Sequence, residues 1–139
     1  MNIFTSYISK ENLDLLISLN YLPMFIIRNM RDSKLIGQYS DTCLHLRNLS
    51  PSTELLHQFK NNIINREEYK NQYLLEIVSR NISFSDLIMK FSVLDKMVSS
   101  SGIVLLGYNQ DPELCHRRFL AEFMEKITGY KIDEWKKTY

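Results

Sequence analysis

The sequence has almost no excess charge and only two cysteines, and each shortage excludes a class of protein. Its 139 residues contain 17 Lys and Arg against 16 Asp and Glu, a formal net charge of +1 at pH 7. A chain this close to neutral has no general field to attract nucleic acid, so anion binding requires a local cluster of cations. Cys43 and Cys115 lie far apart in the sequence. They could pair in one disulfide, but we expect both to be reduced, as in a cytoplasmic protein.

Long apolar segments and export signals are also missing. No apolar run approaches the roughly 18–20 residues that cross a bilayer. Residues 1–16, "MNIFTSYISKENLDLL", lack the basic region and the continuous apolar core of a signal peptide. There is no internal repeat, low-complexity tract or Gly/Ser linker. We therefore expect one domain over residues 1–139, in the cytoplasm and without membrane contact.

Four segments are predicted to be the strands of a sheet. They cover Asn2–Tyr7, Tyr21–Arg28, Gly102–Tyr108 and Tyr130–Trp135. The second and third, "YLPMFIIR" and "GIVLLGY", are continuously apolar, which is typical of strands covered on both faces. Pro23 fits only an edge position or the start of its strand.

Helical periodicity fills the intervals between these strands. The predicted helices cover Lys10–Leu19 after Ser9, a segment from Ser50 or Ser52 to Lys60, Glu67–Arg80, and a helix from Ser83 or Ser85 with Leu87, Ile88, Phe91, Leu94 and Val98 on its apolar stripe. Asn29–Ser50 has no clean period and predicts a long loop, which in a compact domain is usually functional or mobile. Alternating strands and helices predict an α/β fold with a parallel sheet.

The segment "NQDPELCHRRFLAEFMEKITGY" (109–130) predicts another helix. Asp111 can accept backbone N–H bonds as the N-cap, Pro112 suits the first helical position, and Gly129 ends the helix. Cys115 would then be the fourth helical residue. The buried stripe of this helix would hold Phe119, Leu120, Phe123, Met124 and Ile127.

Cys115 and His116 are the candidate chemical groups of this helix. Cys115 can be a small buried apolar residue. Alternatively, the positive helix end, His116 and Arg117 lower the pKa of its thiol and make it a nucleophile. His116 can be a packed histidine bonded to the backbone, or it can contact an anion or act as an acid–base group.

Arg117 is the candidate anion-binding residue. Arg118 has Glu122 four residues later and should pair with it, whereas Arg117 has Ala121 there and no such partner. A cation in the first turns also opposes the helix dipole. An unpaired arginine in that position indicates that a phosphate or carboxylate binds beside it. In parallel sheets ligands bind beyond the carboxyl ends of strands, where Arg28 also lies.

Common catalytic and metal motifs do not fit. A phosphatase-type loop needs an arginine six residues after the cysteine, and the sixth residue after Cys115 is Ala121. The pairs Cys43 with His45 and Cys115 with His116 lack the spacings of a zinc finger. GxGxxG, GxxxxGK[ST], HExxH and GxSxG do not occur. We expect no cofactor and no metal.

Four segments together resemble one protein family. They are "IFTSY" (3–7), "LRNLSPSTELLHQFK" (46–60), "REEYKNQY" (66–73) and "IVLLGYNQDPELCHRRFLAEFM" (103–124). Their content and order are similar to those of domain of unknown function family 488. The resemblance implies a small Rossmann-like α/β domain that binds or acts on nucleotides or nucleic acids. The pocket residues it implies are Tyr7, Arg28, Tyr69, Tyr73, Tyr108, Cys115, His116 and Arg117.

The chain departs from this family at two strand ends. Many members have a cysteine where this chain has Gly107, so a site built from two thiols is in doubt here. A glycine that follows the strand-end arginine in the family is replaced by Asn29, which could reshape that turn.

From these patterns we expect a protein that binds a phosphate-bearing ligand, either a nucleotide or a nucleic-acid component. Arg117 and Arg28 would hold the anion, with Cys115 as nucleophile and His116 as acid–base group. The alternative is a non-catalytic protein that binds or sequesters a protein or small-molecule partner. A metal- or thiol-dependent enzyme is a third hypothesis.

Overall fold

The computed structural model describes residues 1–28, 37–39 and 41–137, which form strands and helices. The strands are β1 Ile3–Tyr7, β2 Tyr21–Phe25, β3 Leu44–His45, β4 Gly102–Gly107 and β5 Ile132–Glu134. The helices are α1 Lys10–Ser18, α2 Thr53–Lys60, α3 Arg66–Ser79, α4 Phe84–Val98 and α5 His116–Thr128. Single 3₁₀ turns cover Arg47–Leu49 and Pro112–Leu114. Within the described ranges, no helix is both long and apolar enough to cross a membrane.

Side-chain caps fix the starts of most helices, as the sequence predicts. Ser9, Ser52 and Ser83 each accept a hydrogen bond from the backbone three residues later, at the starts of α1, α2 and α4. At α3, Asn65 and Glu68 form a reciprocal capping box. Gly129 ends α5 with φ of 76°, the left-handed conformation expected of that glycine.

The five strands form one parallel sheet in the order β3-β2-β4-β1-β5. All six residues of β4 are buried, because this strand lies in the middle of the sheet and helices cover both faces. Pro23 lies inside β2, but β3 pairs with β2 only from Met24 onwards. Pro23 therefore has no paired residue on the β3 side, and its missing N–H removes no hydrogen bond between strands. The predicted small Rossmann-like α/β fold is confirmed.

The core lies on both faces of the sheet because side chains alternate along β4. Ile103 and Leu105 pack in the cluster that contains α3, α4 and α5. Val104 and Leu106 pack with α1 and Trp135 on the opposite face. The helices therefore flank the sheet and leave the carboxyl ends of the strands for a binding site.

Two parts of the sequence-based description need correction. Val98 and Ile127 are 52% and 54% exposed, so the predicted stripes do not stay buried to the ends of α4 and α5. Periodicity marks the inner face of a helix, but it does not say how far along the helix the core extends. The predicted Asn29–Ser50 loop lies partly outside the described residues, and its later part forms β3 and a 3₁₀ turn.

Substitution in the central strand should test this packing. We expect Leu105→Ala to lower the free energy of unfolding by about 2–5 kcal/mol, because it leaves a cavity at a fully buried site. The matched control is Leu75→Ala, since Leu75 is 69% exposed and its loss should change stability by less than about 0.5 kcal/mol. Urea denaturation followed by circular dichroism measures both values. Equal losses in the two variants would contradict the arrangement.

Candidate functional site

A pocket of about 690 Å³ opens beyond the carboxyl ends of β2 and β4. Residues after the two strands form one wall, and α2 with the start of α3 forms the other. Three helices begin at this pocket, with Thr53, Arg66 and His116 as first residues. The full lining is Ile27, Arg28, Pro51, Thr53, Leu56, His57, Phe59, Lys60, Asn62, Ile64, Asn65, Arg66, Tyr69, Tyr108, Asn109, Leu114, Cys115 and His116.

The pocket is electropositive although the chain is almost neutral. Arg28, Lys60, Arg66 and His57 line it, and none of the described lining residues is Asp or Glu. Arg66 is partly neutralised from outside the pocket, by Glu67 and Glu113, each at 3.2 Å. Arg28 donates from Nε to the carbonyl of Pro51 at 3.1 Å, which orients its guanidinium.

Cys115 is the residue before α5, and not the fourth residue of that helix. Asp111 caps only the 3₁₀ turn, by accepting from the N–H of Glu113 at 3.0 Å. The backbone is extended at Cys115, and α5 begins at His116. The predicted helix start was therefore wrong, because tertiary bonds of the first two α5 residues fix where that helix begins.

The environment of Cys115 favours the thiolate. Burial raises the pKa of this thiol, but the charge and hydrogen bond of His116 and the charge and backbone amide of Arg117 outweigh burial and lower the pKa to about 7. The other cysteine shows the opposite balance, since burial raises the pKa of Cys43 to about 11. Both cysteines are free and buried.

His116 is oriented by the backbone of β2. Its Nε2 lies 2.5 Å from the carbonyl oxygen of Ile26, and a carbonyl only accepts, so Nε2 carries the proton. In the neutral ring Nδ1 is then an acceptor, and it lies 3.9 Å from Sγ of Cys115. The ring also packs edge-on against Tyr73, at 5.4 Å between centroids. A base held by a third group beside a thiol is the arrangement that activates a cysteine nucleophile.

Arg117 has an internal counter-charge, so the prediction that it lacks one was wrong. The side chain is fully buried, and it donates to both carboxylate oxygens of Glu134, from Nε at 3.0 Å and from Nη2 at 2.7 Å. It also donates to the carbonyls of Asn109 and Gln110. Glu134 lies 17 residues later, on β5, beyond the i+4 positions that helical pairing considers.

The predicted ion pair between Arg118 and Glu122 was also wrong. Arg118 donates instead to Oγ1 of Thr5 at 2.8 Å and to the carbonyl of Ile132 at 3.0 Å. Glu122 pairs with Lys70 of α3 at 3.5 Å. Both charges thus find partners on neighbouring elements, which spacing along one helix does not reveal.

Gly107 makes room for the thiol of Cys115. A Cβ added at this glycine would lie 2.5 Å from Sγ. A second thiol at the end of β4 therefore has no space in this backbone arrangement. In the part of the chain that the structure describes, no group of three or more His, Cys, Asp or Glu could hold a metal ion.

The structure brings together five of the eight residues implied by the family resemblance. The pocket is lined by Arg28, Tyr69, Tyr108, Cys115 and His116, whereas Tyr7, Tyr73 and Arg117 are absent from its lining. Tyr73 is a core residue, fully buried and donating to the carbonyl of Leu49 at 2.6 Å. Tyr69 is buried and stacks on Phe59 at 4.2 Å.

Sequence reasoning missed the wall contributed by α2 and the start of α3. His57, Lys60, Asn65 and Arg66 lie there. The capping pattern at Asn65 signals a helix start, and helix starts favour anions, but nothing in the sequence says that this start faces Cys115.

The thiol environment predicts a pH-dependent reactivity. We expect alkylation of Cys115 by iodoacetamide to rise with a midpoint at about pH 7, because the pKa of this thiol is lowered to about 7. The thiolate dominates above that midpoint and is lost as the pH falls through it. Cys43 is the internal control and should stay slow at neutral pH, because burial raises its pKa to about 11. Peptide-resolved mass spectrometry separates the two, and equal rates at pH 7 would rule out an activated thiol.

The space at Gly107 predicts a second effect. We expect Gly107→Ala to displace Cys115 and to lower stability by about 1–3 kcal/mol, as overpacking does. The matched control is Gly37→Ala, where an added Cβ meets nothing within 4 Å. Thermal unfolding and the alkylation midpoint of Cys115 measure the two effects. An unchanged midpoint with unchanged stability would show that the thiol does not need this space.

The part of the chain that matches a family model contains all the residues that line the pocket. A family model described as "Active DUF488-N3 subclade" matches residues 26–128, which is more than half of the chain. No curated protein and no solved structure matches the chain. The family match confirms the resemblance seen in the sequence: the chain belongs to the DUF488 family, within its DUF488-N3a subclade.

Proposed function

We propose that this protein binds a phosphate-bearing ligand of nucleotide size in the pocket and that Cys115 and His116 act on it. One observation carries the proposal: cationic side chains and no Asp or Glu among the described lining residues, in a chain of net charge +1. Local charge of one sign in a concave site concentrates ligands of the opposite sign.

The helix starts add to this positive potential. Three helices begin at the pocket. Side chains cap α2 and α3, whereas α5 has no side-chain cap and no acidic residue in its first turn, so that turn keeps partial positive charge and free N–H donors. Phosphate is a common ligand of such ends. Together with Arg28 and Arg66, they make an anion the ligand that this pocket favours.

The size and the apolar lining indicate that the ligand is larger than inorganic phosphate. A volume of about 690 Å³ lies within the range of roughly 300–1,000 Å³ that is usual for small-molecule sites. Phe59 and Tyr108 contribute aromatic surface on which a base could stack. Asn62 and Asn65 add amide groups at the wall. A nucleotide, free or at the end of a nucleic acid, combines these properties.

Cys115 and His116 supply the chemistry of the proposal. The Sγ proton passes to Nδ1 of His116, and the thiolate forms a bond to an electrophilic atom of the ligand as the bond to the leaving group breaks. The proton on Nδ1 then passes to the leaving group. A thiol with a pKa of about 7 is substantially ionised at neutral pH, so the first transfer costs little. The family description, which calls the subclade active, is compatible with this role.

A non-catalytic binding protein is the second candidate. The observation that favours it is the burial of Cys115, which is only 3% exposed. In that case the pocket would hold its ligand without a covalent step. The cytoplasmic location expected from the sequence suits both candidates, because a reducing compartment keeps the thiol free.

Thermal-shift measurements test the ligand class. We expect nucleoside mono- and diphosphates, pyrophosphate or a 5′-phosphorylated oligonucleotide to raise the unfolding temperature, since a ligand at 100 times its dissociation constant adds about 2.7 kcal/mol. Arg28→Ala should weaken binding roughly tenfold to a hundredfold, because a hydrogen bond to a charged group contributes about 1.5–3 kcal/mol.

The matched control is Arg47→Ala, since Arg47 is an exposed arginine that does not line the pocket. Its ligand affinity should equal that of the unchanged protein. Unphosphorylated nucleosides separate base stacking from phosphate recognition and should bind more weakly. If no phosphate-bearing compound shifts the transition, or if Arg28→Ala and Arg47→Ala behave alike, the proposal fails.

A further inference from the structure

The guanidinium of Arg117 joins three elements behind the pocket. It belongs to α5, it makes a two-pronged ion pair with Glu134 of β5, and it donates to the carbonyls of Asn109 and Gln110 in the segment after β4. A planar fork that meets both carboxylate oxygens fixes orientation more strictly than a point charge does. The start of α5 is therefore held against the last strand.

Glu134 extends the same network to β1. Its Oε1 accepts from Oγ1 of Thr5 at 2.7 Å, and Thr5 in turn accepts from Nη1 of Arg118 at 2.8 Å. Thr5 is fully buried. Two consecutive arginines of α5 are thus satisfied by β1, β5 and backbone carbonyls. Cys115 lies at the start of the same helix, so the bonds of Arg117 leave it little freedom.

The network lies directly behind the thiol. Cys115 lines the pocket and Arg117 does not, so the ion pair approaches the thiol from the protein interior. A Cβ built at Gly107 would lie 2.5 Å from Sγ of Cys115 and 3.9 Å from Cβ of Arg117, which places these groups side by side.

We propose that Arg117 and Glu134 are positioning residues for Cys115, and that β5 is thereby part of the functional site. The pair holds the segment after β4 and the start of α5, and it balances the charge next to the thiol. Thr5 and Glu134 both lie outside the residues 26–128 that match the family model, so this part of the site is contributed by the flanking strands. The inference rests on the proposed function only in assuming that the thiol reacts.

Other ionisable groups face the thiol from the packed elements. His116 and Arg117 do so from α5, and Tyr69 and Tyr73 from α3. The pKa values of both tyrosines are raised, chiefly by burial, so they stay neutral at neutral pH. Arg28, His57, Lys60 and Arg66 line the same pocket. Among these groups, Arg117 is the one that the carboxylate of Glu134 neutralises.

The two partners should move the alkylation midpoint of Cys115 in opposite directions. Arg117→Gln removes a positive charge and leaves a carboxylate near the thiol, so the midpoint should rise. Glu134→Gln leaves the positive charge without its counter-charge, so the midpoint should fall. At pH 6 we expect iodoacetamide labelling to be at least threefold slower in the first variant and threefold faster in the second, or about half a pKa unit each way. Loss of a purely structural support would move both midpoints upward.

Matched variants keep the test decisive. Arg47→Gln removes an exposed arginine that lies outside this network and outside the pocket lining, and it should leave the midpoint unchanged. The double variant Arg117→Gln with Glu134→Gln should return the midpoint towards its original value. If Arg117→Gln does not fold, as judged by circular dichroism, the alkylation midpoint of Cys115 in Glu134→Gln tests the inference by itself. A midpoint in Glu134→Gln that is unchanged or raised would overturn the inference.

Ligand thermal shifts on the same variants distinguish the two proposals. Opposite midpoint shifts without any phosphate-dependent stabilisation would support the role of the pair and reject the proposed ligand class. Normal phosphate-dependent stabilisation with an unchanged midpoint in Glu134→Gln would support the proposed ligand class and reject the role of the pair.

Discussion

The ion pair between the fully buried Arg117 and the partly buried Glu134 fixes the geometry on which the candidate site depends. Removing two charges from water is costly, and the cost is offset only when geometry is good and the remaining donors are satisfied. Both conditions hold here, because the guanidinium meets both carboxylate oxygens and two backbone carbonyls. Removal of one partner from such a pair typically costs about 3–5 kcal/mol. The start of α5 is therefore held in one arrangement.

The state of the thiol follows from that arrangement. Burial alone would raise the pKa of Cys115, as it does for Cys43. The pKa of Cys115 is lower than that of Cys43 because His116 and Arg117 lie beside its thiol. Hydrogen bonds to Ile26 and Glu134 set the positions of these two residues. The same bonds put the thiol at the wall of an electropositive pocket. A ligand that entered this pocket would thus meet the thiol of Cys115 and the imidazole of His116 in fixed positions.

Much of the architecture could be predicted from the sequence, because it depends on local patterns. Continuous apolar runs identified β2 and β4, and Gly129 identified a helix end. Caps were expected at Ser9, at Ser50 or Ser52 and at Ser83 or Ser85, and the structure has them at Ser9, Ser52 and Ser83. These signals are properties of neighbouring residues, and the backbone obeys them wherever the chain lies in space. The same reasoning placed Cys115 in the segment after β4, but wrongly as the fourth residue of a helix and not as the residue before α5.

The sequence by itself determined the parallel α/β fold, the strand ends at which the pocket opens, and the presence of Cys115 and His116 near those ends. Only the tertiary structure determined which charged side chains form ion pairs and which line the pocket. Arg117 looked unpaired because its partner, Glu134, is remote in sequence and adjacent only once β5 joins β1. Likewise, Arg66 and His57 reach the pocket only because α2 and α3 fold back over the strand ends. Ion pairs and pocket walls depend on distances in space, and a single sequence specifies those only through the complete fold.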